Sequence, residues 1–152
     1  GFVNFKNINK IYNWGHMKFF QLEHIRYYDD NDFSDQKIIG IYSSRDLALR
    51  KKYEYAEKEG FRNHKDGFSI QELELDTRQN QQKKFYWTLQ SVEPYSDNYY
   101  DFIETTGLFS TKREAVERKK ELVIWKMKGK KIYEISKSKI DRDSWVDWFI
   151  DD

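Results

Sequence analysis

The chain has 152 residues, with 27 Lys or Arg against 26 Asp or Glu and a formal net charge of +1. That length suits one domain, or two small halves packed as one, and it buries enough surface to fold without staples. The absence of cysteine removes disulfides, thiolate nucleophiles and zinc–thiolate sites together.

Three histidines (His16, His24, His64) are too few for a closed histidine metal cage. No apolar run approaches the roughly 20 residues that span a bilayer, so no membrane association is expected. A single proline (Pro94) and 18% aromatic residues mark an ordered, aromatic-cored domain.

Gly1–His16 carry no acidic residue, and Gly15-His16-Met17 reads as a cloning junction. Residues 1–16 are therefore expected to be an engineered leader or an N-terminal extension outside the fold. The rival reading is a native amphipathic segment, since Phe2, Phe5, Ile8, Ile11, Tyr12 and Trp14 could line one stripe.

From Met17 onward the chain reads as strand, turn, strand, helix, strand. Phe19–Tyr27 is rich in aromatic and β-branched residues and ends at Tyr28-Asp29-Asp30-Asn31, where Asp and Asn favour a tight turn. Lys37–Tyr42 is the second strand, and Gly40 inside it points to a bulge or to close approach by a helix. Ser43-Ser44, with Asp46 three residues after Ser43, marks a helix start. Ala48, Leu49, Tyr55 and Ala56 fall on one helix face. Gly60 is placed at the helix end, as a residue that accepts the left-handed conformation, and Phe68–Leu75 supplies the third strand.

A shift of 67 residues lays Phe19–Lys52 on Tyr86–Lys119 without a gap. Leu22 falls on Leu89, Gly40 on Gly107, Ser43 on Ser110 and Ala48 on Ala115. After the helix the offset drops to 65, which sets Phe68-Ser69-Ile70 on Tyr133-Glu134-Ile135 and Leu75-Asp76 on Ile140-Asp141. The second set is Tyr86–Glu93, a turn at Tyr95-Ser96-Asp97-Asn98, Ile103–Phe109, a helix capped by Thr111 with Glu114, and a strand through Ile132, Ile135 and Ile140. Asp143–Ile150, with Trp145, Val146, Trp148 and Phe149, reads as a short amphipathic helix.

The expected organisation is thus residues 17–84 as one ββαβ repeat and 85–152 as a second, forming one compact unit. The fold class is α+β: two ββαβ repeats forming a pseudo-twofold sheet of about six strands, with two long helices on one face and a short C-terminal helix. Two abutting three-stranded sheets also satisfy the pattern. One sheet is preferred because a lone half leaves more unpaired edge.

Ile38-Ile39-Gly40-Ile41-Tyr42-Ser43-Ser44, then Gly60 through Ile70, then Leu75-Asp76, together resemble a family of small bacterial domains of unknown function. Its pattern runs I-G-x-Y-S-S, G-F-x-x-x-P-x-G-F-x-I, then L-D-x-x-x-W-x-x-G-F. The chain departs from it at Lys65, where the pattern has proline, and at Asn80, where it has tryptophan. The second copy resembles it weakly. It lacks the middle loop but keeps Asp141-Arg142-Asp143-Ser144-Trp145, with Trp148-Phe149 in place of Gly-Phe. The two copies read as if together they make up one whole. The resemblance implies a fold and a bacterial origin, and no chemistry.

The strongest charge feature is Lys112–Lys131, with nine Lys or Arg against three Glu. Lys112, Arg113, Lys119, Lys120, Lys126, Lys128, Lys130 and Lys131 could grip a phosphate backbone, and such binding would weaken steeply with salt. The plainer reading is a solvated helix face, neutralised by Asp29, Asp30, Asp32 and Asp35 and by the five acids of Asp141–Asp152, within the fold or across a homodimer.

His24 and His64 sit near no recognisable nucleophile motif and read as structural or surface residues. Asp29–Asp32 resembles the start of a calcium loop, but Ser34 and Gly40 stand where Gly and Glu are needed. Catalytic residues, cofactor and metal are therefore expected to be none. The aromatic excess suits a protein interface, and the leading expectation is a non-enzymatic, cytoplasmic protein-interaction domain of inhibitor or immunity type. The alternative is a nucleic-acid-binding module using Lys112–Lys131.

Overall fold

A computed structural model describes residues 17–27, 34–75, 84–93, 102–125 and 131–144. The leader, both Asx turns, Asn80, Lys126, Lys128, Lys130 and the expected helix beyond Ser144 lie outside the described residues.

The elements run β1 (Lys18–Tyr27), β2 (Ser34–Tyr42), α1 (Arg45–Ala56), a 3-10 turn (Lys65–Gly67) and β3 (Phe68–Glu74). Then come β4 (Phe85–Glu93), β5 (Phe102–Phe109), α2 (Lys112–Trp125), β6 (Ile132–Lys139) and the two-residue β7 (Arg142–Asp143). The fold is α+β, as expected, but its strands form two antiparallel-paired sheets and not one of six strands: β3-β1-β2-β7 and β5-β4-β6. Each helix covers its own sheet, so the expectation of both helices on one continuous face is corrected as well.

The reason lies in which faces are apolar. Leu22, Tyr42 and Ile70 pack under α1 with Ala48 and Tyr55, and Leu89, Phe109 and Tyr133 pack under α2 with Ala115. The alternate positions Phe19, Ile41 and Leu73 are equally buried, together with Tyr86 and Leu108 of the second sheet. A single sheet with helices on one side would leave those residues in water. Bringing the two uncovered faces together hides them, and the Phe19 and Tyr86 rings meet with centroids 5.0 Å apart.

The edges are handled by short exchanged ends. Leu75, following β3, bridges Leu108 of β5, and Ile140, following β6, bridges Ile41 of β2. A polar lock lies at the same seam. The Gln36 side-chain amide donates to the Ile103 carbonyl at 2.7 Å, and its oxygen accepts from the Ile103 N–H at 2.8 Å, as a strand neighbour would. Fully buried Gln21 accepts from the Thr105 hydroxyl at 2.6 Å.

The register shifts between Leu22 and Glu23 in one sheet and between Leu89 and Gln90 in the other, with Gly40 opposite Leu22 and Gly107 opposite Leu89. Both glycines admit a close approach, made by a ring of their own strand instead of a helix. A Cβ on Gly40 would stand 2.7 Å from the Tyr42 hydroxyl and 2.8 Å from the Arg142 carbonyl; on Gly107 it would meet the Phe109 ring at 2.7 Å.

The helix starts follow the caps. Ser44 accepts from the Leu47 N–H. Thr111 accepts from the Glu114 N–H at 3.2 Å and donates to the Glu114 carboxylate at 2.9 Å. α1 ends at Ala56, and Gly60 takes its positive φ of 88° in the turn beyond it, four residues later than the helix end. Asp143, expected to open a helix, is instead paired with Gly40 as part of β7.

Candidate functional site

Besides the polar lock at the seam, three places among the described residues gather polar or charged side chains.

The first is His24, which is buried on β1. Its Nε2–H donates to the His64 carbonyl at 2.7 Å, and its ring packs edge-on to Phe61 and Phe68. Burial pushes its pKa below 6.5, with the Lys37 charge acting the same way and the His64 carbonyl opposing. His24 thus holds its proton against a backbone carbonyl inside an aromatic cage. Because protonation is easier in the unfolded chain, the stability it contributes is complete above pH 6.5 and falls as the pH drops from 6.5 through the lowered folded value. Urea unfolding at pH 7.5 and pH 5 is expected to show that fall, and His24→Gln should flatten the slope whatever it does to the absolute stability.

The second is a latch made by the segment after β6. Asp143 accepts from the Tyr42 hydroxyl at 2.8 Å and the Tyr55 hydroxyl at 2.9 Å, with the Lys51 ammonium at 3.4 Å. Asp141, at φ 60°, accepts from the Ser43 N–H at 2.7 Å and from its hydroxyl. The Asp141 N–H reaches the Ile41 carbonyl, and the Ser144 N–H reaches that of Ile39.

Burial alone would raise the Asp143 carboxyl, but the two phenols and Lys51 outweigh it and hold the pKa below 3.8. Burial, reinforced by Asp143, pushes both tyrosines above the ordinary phenol range. Both phenols stay protonated as donors to Asp143. The cluster fastens the C-terminal segment to the first half.

The third place is exposed and positive. Phe85 and Trp87 lie two residues apart on β4, opposite Lys139 and Lys137 of β6. The Lys137 ammonium stands 4.5 Å from the Phe85 ring centroid and 6.0 Å from that of Trp87. Lys139 covers Phe85 at 5.3 Å, and Lys112, the first residue of α2, covers Trp87 at 5.6 Å. Phe85 is 37% exposed. Among the described residues no carboxylate forms an ion pair with these three lysines.

Of the singled-out cations that lie among the described residues, Lys112 belongs to this patch. Arg113 pairs with Glu117 at 3.3 Å on the helix. Lys119 and Lys120 lie roughly 10–12 Å farther along α2, and Lys131 precedes β6, half-buried. Lys137 and Lys139 escaped a count of consecutive charges, although their alternate spacing in a strand does bring them to one face.

Among the described residues no cluster of His, Asp or Glu suits a metal ion, and no helix is long and apolar enough to cross a membrane. The architecture of the described residues is that of a two-sheet α+β protein with a basic–aromatic patch on the β4–β6 surface. Residues 17–84, which span β1 to β3, match a family described as a domain of unknown function (DUF7336). No curated protein and no solved structure matches the chain.

Proposed function

We propose that the protein is a non-enzymatic interaction domain, built from two copies of one ββαβ unit, whose second copy carries the binding surface for an anionic partner. The duplication is supported by the 67-residue spacing of the two register shifts and of their opposed glycines. It is supported further by the reciprocal bridges Leu75–Leu108 and Ile140–Ile41, which join matching positions of each copy.

The observation that carries the function is a divergence between the copies at one surface. Where the second copy has Phe85, Trp87, Lys112, Lys137 and Lys139, the first has Lys18, Phe20, Arg45, Glu72 and Glu74 at the same offsets. Lys18 pairs with Glu72 at 3.4 Å, and Arg45 sits 5.3 Å from the Phe20 ring. The first copy neutralises this surface internally, while the second leaves it positive around the exposed Phe85 ring and the half-buried Trp87 ring. A chain of net charge +1 gains little general attraction for anions, so binding depends on this local concentration of charge.

Heparin chromatography of the full chain tests the reading. Lys137→Gln/Lys139→Gln is expected to elute at clearly lower salt than the wild type. Lys119→Gln/Lys120→Gln, which removes the same charge from the helix, should elute with the wild type. Equal shifts for the two variants, or no retention of the wild type, would overturn the proposal.

A further inference from the structure

We infer that the ligand of the Phe85–Trp87–Lys137 surface is a single strand of nucleic acid, a step that rests on the anionic-partner reading above. The geometry of the rings argues for it. Phe85 and Trp87 are alternate residues of one strand, so they project from the same face about 7 Å apart. That is about twice the 3.4 Å rise of a stacked nucleic-acid strand. Two successive bases can each cover one ring only if they are pulled apart from one another, which a single strand permits and a duplex does not.

The cations stand where the phosphates of such a strand would run. Lys137 lies over Phe85 and within 6.0 Å of Trp87, so its ammonium is placed between the two stacking positions. Lys139 lies over the Phe85 ring and Lys112 over the Trp87 ring. Each ammonium now rests against a ring face. An arriving base takes that face, and the displaced ammonium turns to the phosphate of the same nucleotide. Aromatic platforms combined with a cationic track are how sequence-tolerant single-strand binders work. An acidic peptide would satisfy the lysines but has no flat groups to cover two rings at this interval.

The test is fluorescence anisotropy of the full chain with fluorescein-labelled dT20, a labelled 20-base-pair duplex, and polyglutamate as competitor. The wild type should bind dT20 at 50 mM salt, at least tenfold more tightly than the duplex. Three phosphate contacts give a slope of log K against log salt of about −2, and Lys137→Gln/Lys139→Gln should reduce its magnitude by about 1.4.

Phe85→Ala should weaken dT20 binding about tenfold or more, with the melting curve checked by circular dichroism. Phe85→Trp should keep it. Binding of the duplex as tight as that of dT20, or displacement of dT20 by polyglutamate at equal charge concentration, would overturn the inference. So would heparin retention that depends on Lys137 and Lys139 without any binding of dT20, an outcome that leaves the broader reading standing.

Discussion

Asp143→Ala is expected to lower the unfolding free energy by about 2–4 kcal/mol, read from urea denaturation at pH 7. Hydrogen bonds to an ionised acceptor contribute about 1.5–3 kcal/mol each, and a buried donor left without its acceptor retains its full desolvation cost. Asp143 accepts from two phenols, and that of Tyr42 is wholly buried. The cost should therefore come less from lost attraction than from two stranded hydroxyls.

The second half shows what removes them. Phe109 stands at the position matching Tyr42 and Leu122 at that matching Tyr55, and both pack in an apolar core. Adding Tyr42→Phe and Tyr55→Leu to Asp143→Ala should thus recover a large part of the loss. If the triple variant is no more stable than the single one, stranded hydroxyls are not the cause.

The same carboxylate sets an acid limit. Its folded pKa lies below 3.8, so its contribution is fully present above pH 3.8 and is lost as the pH falls through that lower value. That part of the acid dependence should be missing from Asp143→Ala.

What the sequence disclosed and what it withheld divide along physical lines. Helix starts were readable because a cap is a local hydrogen bond: Ser44 and Thr111 needed only their own neighbours three residues on. Strands β1 to β6 were readable from their aromatic and β-branched content.

The two-sheet arrangement fitted the pattern as well as a single sheet did, and the sequence did not choose it. Phe19-Phe20 and Ile41-Tyr42 place apolar groups on both faces of their strands, and nothing in a single strand says what covers the second face. The latch was hidden for a different reason. A two-residue strand has no periodicity, and the contact of Asp143 with Tyr42 spans 101 positions. The basic surface was missed because a run of charge on a helix is spread around a cylinder, whereas Lys137 and Lys139 become neighbours of Phe85 and Trp87 only through the β4–β6 register. Counting cations along the chain therefore pointed to Lys112–Lys131, and of the described residues in that stretch it was Lys112 that reached the patch.

Phe19→Ala should destabilise the whole chain by about 3–5 kcal/mol, as large-to-small changes of a buried aromatic do. Its ring is 2% exposed and packs against Tyr86, in a cluster that also takes Leu75 and Leu108 from the two halves. The loss is a large share of the roughly 5–15 kcal/mol that holds a domain together. It should lower the urea midpoint by about 2 M.

The informative point is where the loss is felt. Residues 17–84 contain no tryptophan, while Trp87, Trp125, Trp145 and Trp148 all belong to the second half. Trp145 and Trp148 follow the segment latched to the first half, so in a Trp14→Phe/Trp145→Phe/Trp148→Phe background tryptophan fluorescence reports on β4 and α2 alone, although Phe19 lies in the first half. If the seam makes one cooperative unit, the fluorescence transition must move with circular dichroism and by the same amount. A fluorescence midpoint that stays in place while the dichroism splits into two steps would mean that each half is held by its own helix–sheet core and that the Phe19–Tyr86 contact couples nothing.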